Sequence, residues 1–378
     1  IYNYQQIRQT LIQKGHQFVS NSDTETILLA YEEWGESCVQ YFEGMFAFAI
    51  WDDTSKKLFV ARDRLGIKPL VYAEYNGKLI FASEIKAIIA DPAFPREVDE
   101  RAVVAFFNYS YIPAPFTIFS RIRKLLPGHH MTWQDGKIRI QKYWDLEFSP
   151  DENRSEDDYV EELLSLFGDS IKGHLVSDVP VGAFLSGGVD SSAVVALMSQ
   201  HSREPVNTFC MGFGGDIGGY LDERGFADEV ASRFSTKHEA FEVVPDLDGI
   251  VDGIVDAFDE PFADDSSIPT HFICKLAAEK LKVTLSGLGG DELFAGYERY
   301  LGFHLQSYYS GLPKFIRKSI IAPLMEKLPE RADGHYTINH LKRFARGGAL
   351  SPDRAYLSYI SQLGTRNGPS LLLEPDRL

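Results

Sequence analysis

The stretch that most restricts this chain is Phe184-Leu-Ser-Gly-Gly-Val-Asp-Ser-Ser192. An apolar, β-prone run from Val179 to Leu185, interrupted by Pro180, precedes the loop, and Ala193-Val-Val-Ala-Leu-Met-Ser-Gln200 follows it with a helical composition. The order is therefore strand, glycine loop, helix. Such a loop delivers the chain into a first helical turn, whose unpartnered N–H groups attract anions. Gly187 and Gly188 carry no Cβ, so the backbone can turn tightly and approach a phosphate. Ser186, Ser191 and Ser192 add hydroxyl donors to phosphate oxygens. Asp190 repels phosphate by itself; it makes sense here if a divalent cation bridges its carboxylate to the phosphate oxygens. The bland reading is a glycine turn with a Ser/Asp cap. All seven loop positions on one strand–loop–helix favour the anion site.

A second stretch, Ser286-Gly-Leu-Gly-Gly-Asp-Glu292, repeats the same logic after the β-like Lys282-Val-Thr-Leu285. Asp190 and Asp291 are expected as neighbours across one sheet, where two carboxylates facing a triphosphate need Mg²⁺ between. The plainer account of Asp291-Glu292 is a pair of acids favoured by a helix dipole. Around the two loops, Val206–Met211 and Glu239–Val244 read as strands, and a glycine-rich loop runs to Tyr220. Helices are expected over Asp157–His174 (apolar face Leu163, Leu164, Phe167, Ile171), Asp222–Phe234, Leu247–Phe258 and Thr270–Lys280. This alternation predicts a parallel sheet with helices on both faces and ligands at the carboxyl ends of its strands. After Gly290 the chain is aromatic-rich and helical.

The first 145 residues read differently. Tyr4–Lys14 predicts an amphipathic helix with Ile7, Leu11 and Ile12 on one face, and Ser22-Asp-Thr-Glu25 a cap for a helix Thr26–Trp34. Short β runs follow at Met45–Trp51, Lys57–Arg62, Pro69–Tyr72 and Lys78–Ala82, then a helix Asp99–Asn108 and a hairpin Thr132–Tyr143. Polar Glu147–Ser155 reads as a linker, giving domains at 1–145 and 157–378 with 146–156 between them.

Composition narrows the function class. A length of 378 residues allows two or three domains with a sizeable core, and a net charge of −16 counts against a general binder of nucleic acid or anionic membrane. Cys38, Cys210 and Cys274 form no Cys-x-x-Cys, which fits a reducing, cytoplasmic setting and excludes a cysteine zinc ribbon. Cys38, after a helix, reads as a packing residue rather than a catalytic thiol. No membrane span or signal peptide is visible. Neither Gly-x-x-x-x-Gly-Lys-Ser/Thr nor Gly-x-Gly-x-x-Gly occurs, which counts against a kinase or ATPase of the lysine-loop class.

Ser-Gly-Gly-x-Asp-Ser-Ser resembles the pyrophosphate loop of the ATP pyrophosphatases, in which β,γ-pyrophosphate leaves as an acceptor oxygen attacks the α-phosphorus. Ile1-Tyr-Asn3, Ser22–Glu25, Glu43–Trp51, Ala61-Arg-Asp-Arg-Leu-Gly-Ile-Lys-Pro-Leu70 and Phe81-Ala-Ser-Glu-Ile-Lys86 resemble the class II glutamine amidotransferase domain. Residues 157–300 resemble the synthetase domain of glutamine-hydrolysing asparagine synthetases, and the two halves stand in that family's order. The resemblance implies a mixed α/β and α+β protein. A partial N-terminal-nucleophile (αββα) domain would come first, then a parallel-sheet ATP pyrophosphatase domain. It further implies that Leu185 and Met211 lie at adenine and ribose, Ser186–Ser192 hold pyrophosphate, Ser286 and Gly287 bind ATP, and Asp190 and Asp291 bind Mg²⁺. Asp23 would hold the ammonium group of glutamine; otherwise it is a helix N-cap. Glu260-Pro-Phe-Ala-Asp-Asp-Ser-Ser-Ile-Pro269 resembles the loop that shapes the acceptor site, with Asp264 and Asp265 its weakest transfers.

The family's nucleophile is the thiol of the first residue, with an Asn-Gly oxyanion hole just upstream of the Ile-Tyr-Asn match. Neither is present from Ile1 onward, so the chain is expected to be N-terminally truncated, and a family lysine beyond Leu378 is not placed. At Leu288 the family carries an acid that helps form the adenylate and takes a proton from ammonia; leucine can do neither. The implied activity is an ATP- and Mg²⁺-dependent amide ligase that adenylates a carboxylate, with aspartate first in line, and transfers glutamine-derived ammonia to it. Rivals are a relative that amidates a sugar uronic acid or closes a β-lactam, an RNA-thiolating enzyme, and a scaffold that has kept the fold. A homodimer is left open.

Overall fold

A computed structural model of the chain describes residues 1–151, 153–214, 222–244, 247–328, 337–348 and 350–361. The glycine-rich loop read as running to Tyr220 has residues 215–221 outside that set. The chain packs as two compact units. One comprises Ile1–Asp99, Pro113–Glu260 and Ser266–Ser286, the other Glu100–Ile112, Pro261–Asp265 and the chain from Gly287 onward.

Among the described residues of the first unit, eleven strands build three sheets: β1 Ala47–Asp52, β2 Lys57–Arg62, β3 Val71–Tyr75, β4 Lys78–Ala82, β5 Arg123–Lys124, β6 His129–Gln134, β7 Lys137–Lys142, β8 Val181–Phe184, β9 Asn207–Phe213, β10 Lys237–Val243 and β11 Val283–Leu285. Strands β1-β2-β6-β7 form one antiparallel sheet and β4-β3-β5 a second. Successive side chains on a strand point to opposite faces, and β2 uses this fully. Phe59 and Ala61 join the helices Tyr4–Gln13 and Asp23–Trp34 in one core with Leu11, Ala30, Val39 and Phe42, while Leu58 and Val60 turn toward Leu70, Leu125 and Met131. Strand β3 alternates likewise: Tyr72 packs with the Val60 core, whereas Val71 and Ala73 face Ile85 and Ile88 of the helix Ile85–Ile89. Three cores in series give helix, sheet, sheet, helix, the αββα layering implied by the amidotransferase resemblance.

The motif Ala61–Leu70 owes its form to two side chains. Asp63, 1% exposed, accepts the backbone N–H groups of Phe46 (3.3 Å), Ile67 (2.9 Å) and Lys68 (2.9 Å). The Arg62 guanidinium donates to the carbonyls of Lys68, Gly66 and Leu125. Together they satisfy the backbone of a loop that has no partner strand.

The remaining sheet is parallel, in the order β10-β9-β8-β11. From β8 the chain moves one way to β9 and β10, then returns to place β11 on the other side of β8. Right-handed crossovers in opposite directions put their helices on opposite faces. Val189–His201 and Arg224–Phe234 pack together on one; Leu247–Phe258 and Ser267–Ala278 pair on the other. The helix Glu156–His174 opens with a capping box of Ser155 and Asp158. Its expected apolar face is only half used. Ile171 is buried and Phe167 packs against the core, but Leu163 and Leu164 are exposed, because the neighbouring helix Val189–His201 covers only the C-terminal turns. Ile12 is exposed too, and buried Ile7 and Leu11 anchor their helix with Tyr4 packed beside them.

The second unit is helical, with Glu100–Tyr109, Gly290–Phe294, Glu298–Ser310, Thr337–Gly347 and Pro352–Ile360 among its elements. Buried Gln306 donates to the Gly347 carbonyl (3.4 Å) and accepts from the Tyr359 hydroxyl (2.8 Å). The Ser361 hydroxyl meets the Asn108 side-chain oxygen at 3.2 Å and so ties in the early helix.

Candidate active site

Strand β8 lies inside the parallel sheet, where strand order reverses; ligands of such sheets bind outside the carboxyl ends of strands at that point. The Ser186 loop leaves β8 there. Leu185 is buried and donates its N–H to the Phe209 carbonyl at 2.8 Å, holding the strand end in register with β9. Gly187 takes φ +82°, open to glycine at little cost, and packs so closely on the helix Arg224–Phe234 that a Cβ would lie 2.4 Å from the Phe226 Cβ. Gly188 is the N-cap, and the helix begins at Val189, earlier than the sequence pattern placed it. Asp190, Ser191 and Ser192 therefore occupy its first turn, where polar side chains and a positive dipole end are favoured.

The three serines have different surroundings. Ser191, 7% exposed, accepts the Ser186 N–H (3.2 Å), meets the Ser186 hydroxyl at 2.9 Å and donates to the Gly188 carbonyl (3.3 Å). Ser186 in turn accepts the Gly188 N–H at 3.2 Å. These bonds fix the loop from inside. The Ser192 hydroxyl is buried and has no hydrogen-bond partner among the described residues. Leaving a buried hydroxyl unmade costs about 1–3 kcal/mol, a cost a bound phosphate oxygen would relieve.

Strand β11 pairs with β8 so that Leu285 lies opposite Ala183, and Ser286 therefore leaves at the strand end adjacent to the Ser186 loop. Met211 lies two residues beyond Phe209 on β9, past the end of β8. In the second unit, Gly289 takes φ +104° and Gly290 begins a short helix carrying Asp291 and Glu292. The Asp291 carboxylate folds over Gly296, where a Cβ would lie 2.0 Å from its Oδ1. The Tyr297 hydroxyl donates to Glu292 at 2.7 Å, which holds that carboxyl below its ordinary range and pushes the phenol up to about 12. Nothing in the spacing of these two residues announced the pair. Leu288 is 90% exposed, so it does not serve as a packing residue. In the Glu260–Pro269 stretch, the Ala263 N–H donates to the Ser110 carbonyl at 2.8 Å. Among the described residues, no three His, Cys, Asp or Glu side chains gather to hold a metal alone. Magnesium does not require such a cage, since one or two carboxylates and substrate phosphates suffice.

A cleft of about 860 Å³ opens beside β1, lined by Ser22, Asp23, Phe46, Phe48 and Lys68. Ser22 is the N-cap of its helix, accepting from the Glu25 N–H, which leaves Asp23 as the first helical residue. The Asp23 carboxylate lies 2.7 Å from the Ile1 backbone nitrogen at the edge of this cleft. Cys38 is fully buried, and burial pushes its thiol up to about 12, so it packs and does not react.

An αββα layer followed by a parallel sheet with a Ser-Gly-Gly loop defines a protein of the amidotransferase and ATP pyrophosphatase class. Residues 1–144 match the glutamine amidotransferase domain, and residues 162–359 match asparagine synthase. The chain belongs to the glutamine-hydrolysing asparagine synthetase family. It is 34% identical over 371 residues to the putative asparagine synthetase [glutamine-hydrolyzing] 2 of Methanocaldococcus jannaschii, covering 96% of this chain and 69% of that one. With asparagine synthetase [glutamine-hydrolyzing] 3 of Bacillus subtilis it shares 36% identity over 328 residues, covering 83% and 52%. Amidase chyE of Penicillium rubens is 31% identical, over 79% of this chain and 46% of that protein. The chain thus spans about half the length of the latter two relatives. No helix among the described residues is long and apolar enough to cross a membrane.

Proposed function

We propose that this chain serves an ATP-dependent amide ligase that adenylates a carboxylate, aspartate first, and transfers glutamine-derived ammonia to the acyl group. The observation that carries the reading is the Ser186–Ser192 loop at the switch point of the parallel sheet, with the orphaned Ser192 hydroxyl in its first helical turn. A bare carboxylate is a poor electrophile. One of its oxygens attacks the α-phosphorus of ATP, the bond to the bridging oxygen breaks, and pyrophosphate leaves. The nitrogen lone pair of ammonia then attacks the acyl carbon, AMP departs, and a base takes the surplus proton.

In this reading, first-turn N–H groups and the hydroxyls of Ser186 and Ser192 receive the pyrophosphate, and Ser191 braces the loop. Leu185 and Met211 border the adenosine, and Ser286 with Gly287 completes the ATP contacts. Asp190 and Asp291 are the candidates to hold Mg²⁺, which when bound neutralises charge on the departing pyrophosphate. Asp23 holds the ammonium group of glutamine. A different acceptor acid is the second reading, favoured by the exposed Leu288 where an acid would stand. ATP–pyrophosphate exchange with a panel of acids tests both. Exchange with aspartate supports the first, exchange with another acid the second, and exchange with none of them refutes the ligase.

A further inference from the structure

Lys86, the last residue of the Phe81–Lys86 stretch, and Glu260, the first of the Glu260–Pro269 stretch, each pair with a residue of the other half within the first unit. Asp259 and Glu260 end the helix Leu247–Phe258, with Asp259 at φ +62°, the left-handed conformation that terminates helices. Its carboxylate, 8% exposed, accepts the Lys86 N–H at 3.0 Å and lies 3.1 Å from the Lys86 ammonium. The same ammonium donates to the Asp256 carbonyl at 2.5 Å. Glu260, 13% exposed, is 2.5 Å from the Lys124 ammonium and accepts the Ile118 N–H at 3.2 Å. Each carboxylate thus takes one lysine and one backbone amide from the amidotransferase half. Burial raises the Glu260 carboxyl, and the attraction of Lys124 opposes that rise. A carboxylate buried this far is costly without its cation. Glu260 is itself the first residue of the Glu260–Pro269 stretch that resembles the loop shaping the acceptor site.

We propose that the Asp259–Lys86 and Glu260–Lys124 pairs are a positioning clamp. Through it, the amidotransferase half fixes the start of the acceptor loop and so tunes binding of the carboxylate that is adenylated. The inference rests on the ligase reading and adds positioning residues to it. Lys86 and Lys124 are assigned as positioning residues because they act through the Asp259 and Glu260 carboxylates they pair with. A purely structural staple would lower stability and depress every activity together. A positioning clamp separates the substrates: it changes KM for the acceptor acid and spares KM for ATP.

The experiment uses the full chain in ATP–pyrophosphate exchange, first establishing which acid the wild-type protein activates. Lys124→Met and Glu260→Gln should each raise KM for that acid roughly tenfold or more, with KM for ATP within about twofold, since small displacements of a reacting group carry large costs. Lys86→Met, at a more exposed site, should act in the same direction with less risk to folding. The charge-swapped pair Lys124→Glu with Glu260→Lys should recover most of the loss. Wild-type exchange with unchanged acceptor KM in all single variants would overturn the clamp alone. Parallel loss of acceptor and ATP affinity, tracking a lowered Tm, would also overturn it. Absence of exchange with any acid in the wild-type protein would overturn the ligase reading, and the clamp with it.

Discussion

Gly187→Ala should damage the Ser186–Ser192 loop far more than the neighbouring Gly188→Ala. Gly187 sits at φ +82°, where an L-residue costs about 1–2 kcal/mol. Its new Cβ would lie 2.4 Å from the Phe226 Cβ, 2.5 Å from the Phe226 carbonyl carbon and 2.7 Å from the Ala227 nitrogen. Carbon contacts are comfortable at roughly 3.5–4.0 Å, so something must move by about an ångström. Two of the three atoms are helix backbone, and Ala227 is fully buried, so the neighbour cannot swing aside. Overpacking of that kind costs about 1–3 kcal/mol. The combined expectation is about 2–5 kcal/mol, a large share of an ordinary domain stability of about 5–15 kcal/mol. Gly188 takes φ −67°, and its Cβ would meet only the Ser186 hydroxyl at 3.3 Å, so alanine there should cost about 1 kcal/mol or less. Urea unfolding followed by circular dichroism measures both variants, and ATP–pyrophosphate exchange shows whether the loop still works. Equal stability losses, or a Gly187→Ala protein as stable as the parent, would refute the argument from close packing.

Asp190→Asn should lower ATP–pyrophosphate exchange on the order of a thousandfold with an unchanged circular dichroism spectrum; undiminished exchange would remove Asp190 from the ion site. Leu288→Glu should increase asparagine formation from aspartate and ammonia, and no change in a protein that already makes asparagine readily would show that position 288 carries no base. Asp63→Ala strands three backbone N–H groups and should destabilise by roughly 2–4 kcal/mol in denaturant unfolding; a loss below about 1 kcal/mol would contradict that role. Iodoacetamide at pH 8 should label exposed Cys274 and leave buried Cys38 and Cys210 unmodified in the native protein, as read by mass spectrometry of peptides. Their thiols ionise at about 12 and about 11 in the fold but near ~8.5 in an unfolded chain, so the folded state holds its protons more tightly. That contribution to stability is complete below pH ~8.5 and is lost as pH rises toward the folded values, a decline visible in Tm.

Local pattern carried much of this protein. The glycine–serine loop, the β/α alternation behind it and the hairpin around Asp135-Gly136 are short-range features, written in residues that turn, cap or alternate. The loop's boundary was less legible, because Asp190, Ser191 and Ser192 are polar residues that suit loops and first helical turns alike, and only the backbone shows they are helical. The layering of the first half came from family resemblance, since a β run buried on both faces does not say which layer it faces. Periodicity marked Ile12, Leu163 and Leu164 as apolar positions, yet whether a neighbour covers them depends on where other elements end. The orphaned Ser192 hydroxyl, the Tyr297–Glu292 bond and the Lys124–Glu260 pair lay beyond sequence reading for the same reason. Lys124 and Glu260 stand 136 positions apart, with no local rule to join them. The sequence by itself determined the elements and the chemistry available at their ends. The tertiary structure alone decided which of those ends meet, because contact between distant residues is set by packing of whole layers and not by the preferences of any segment.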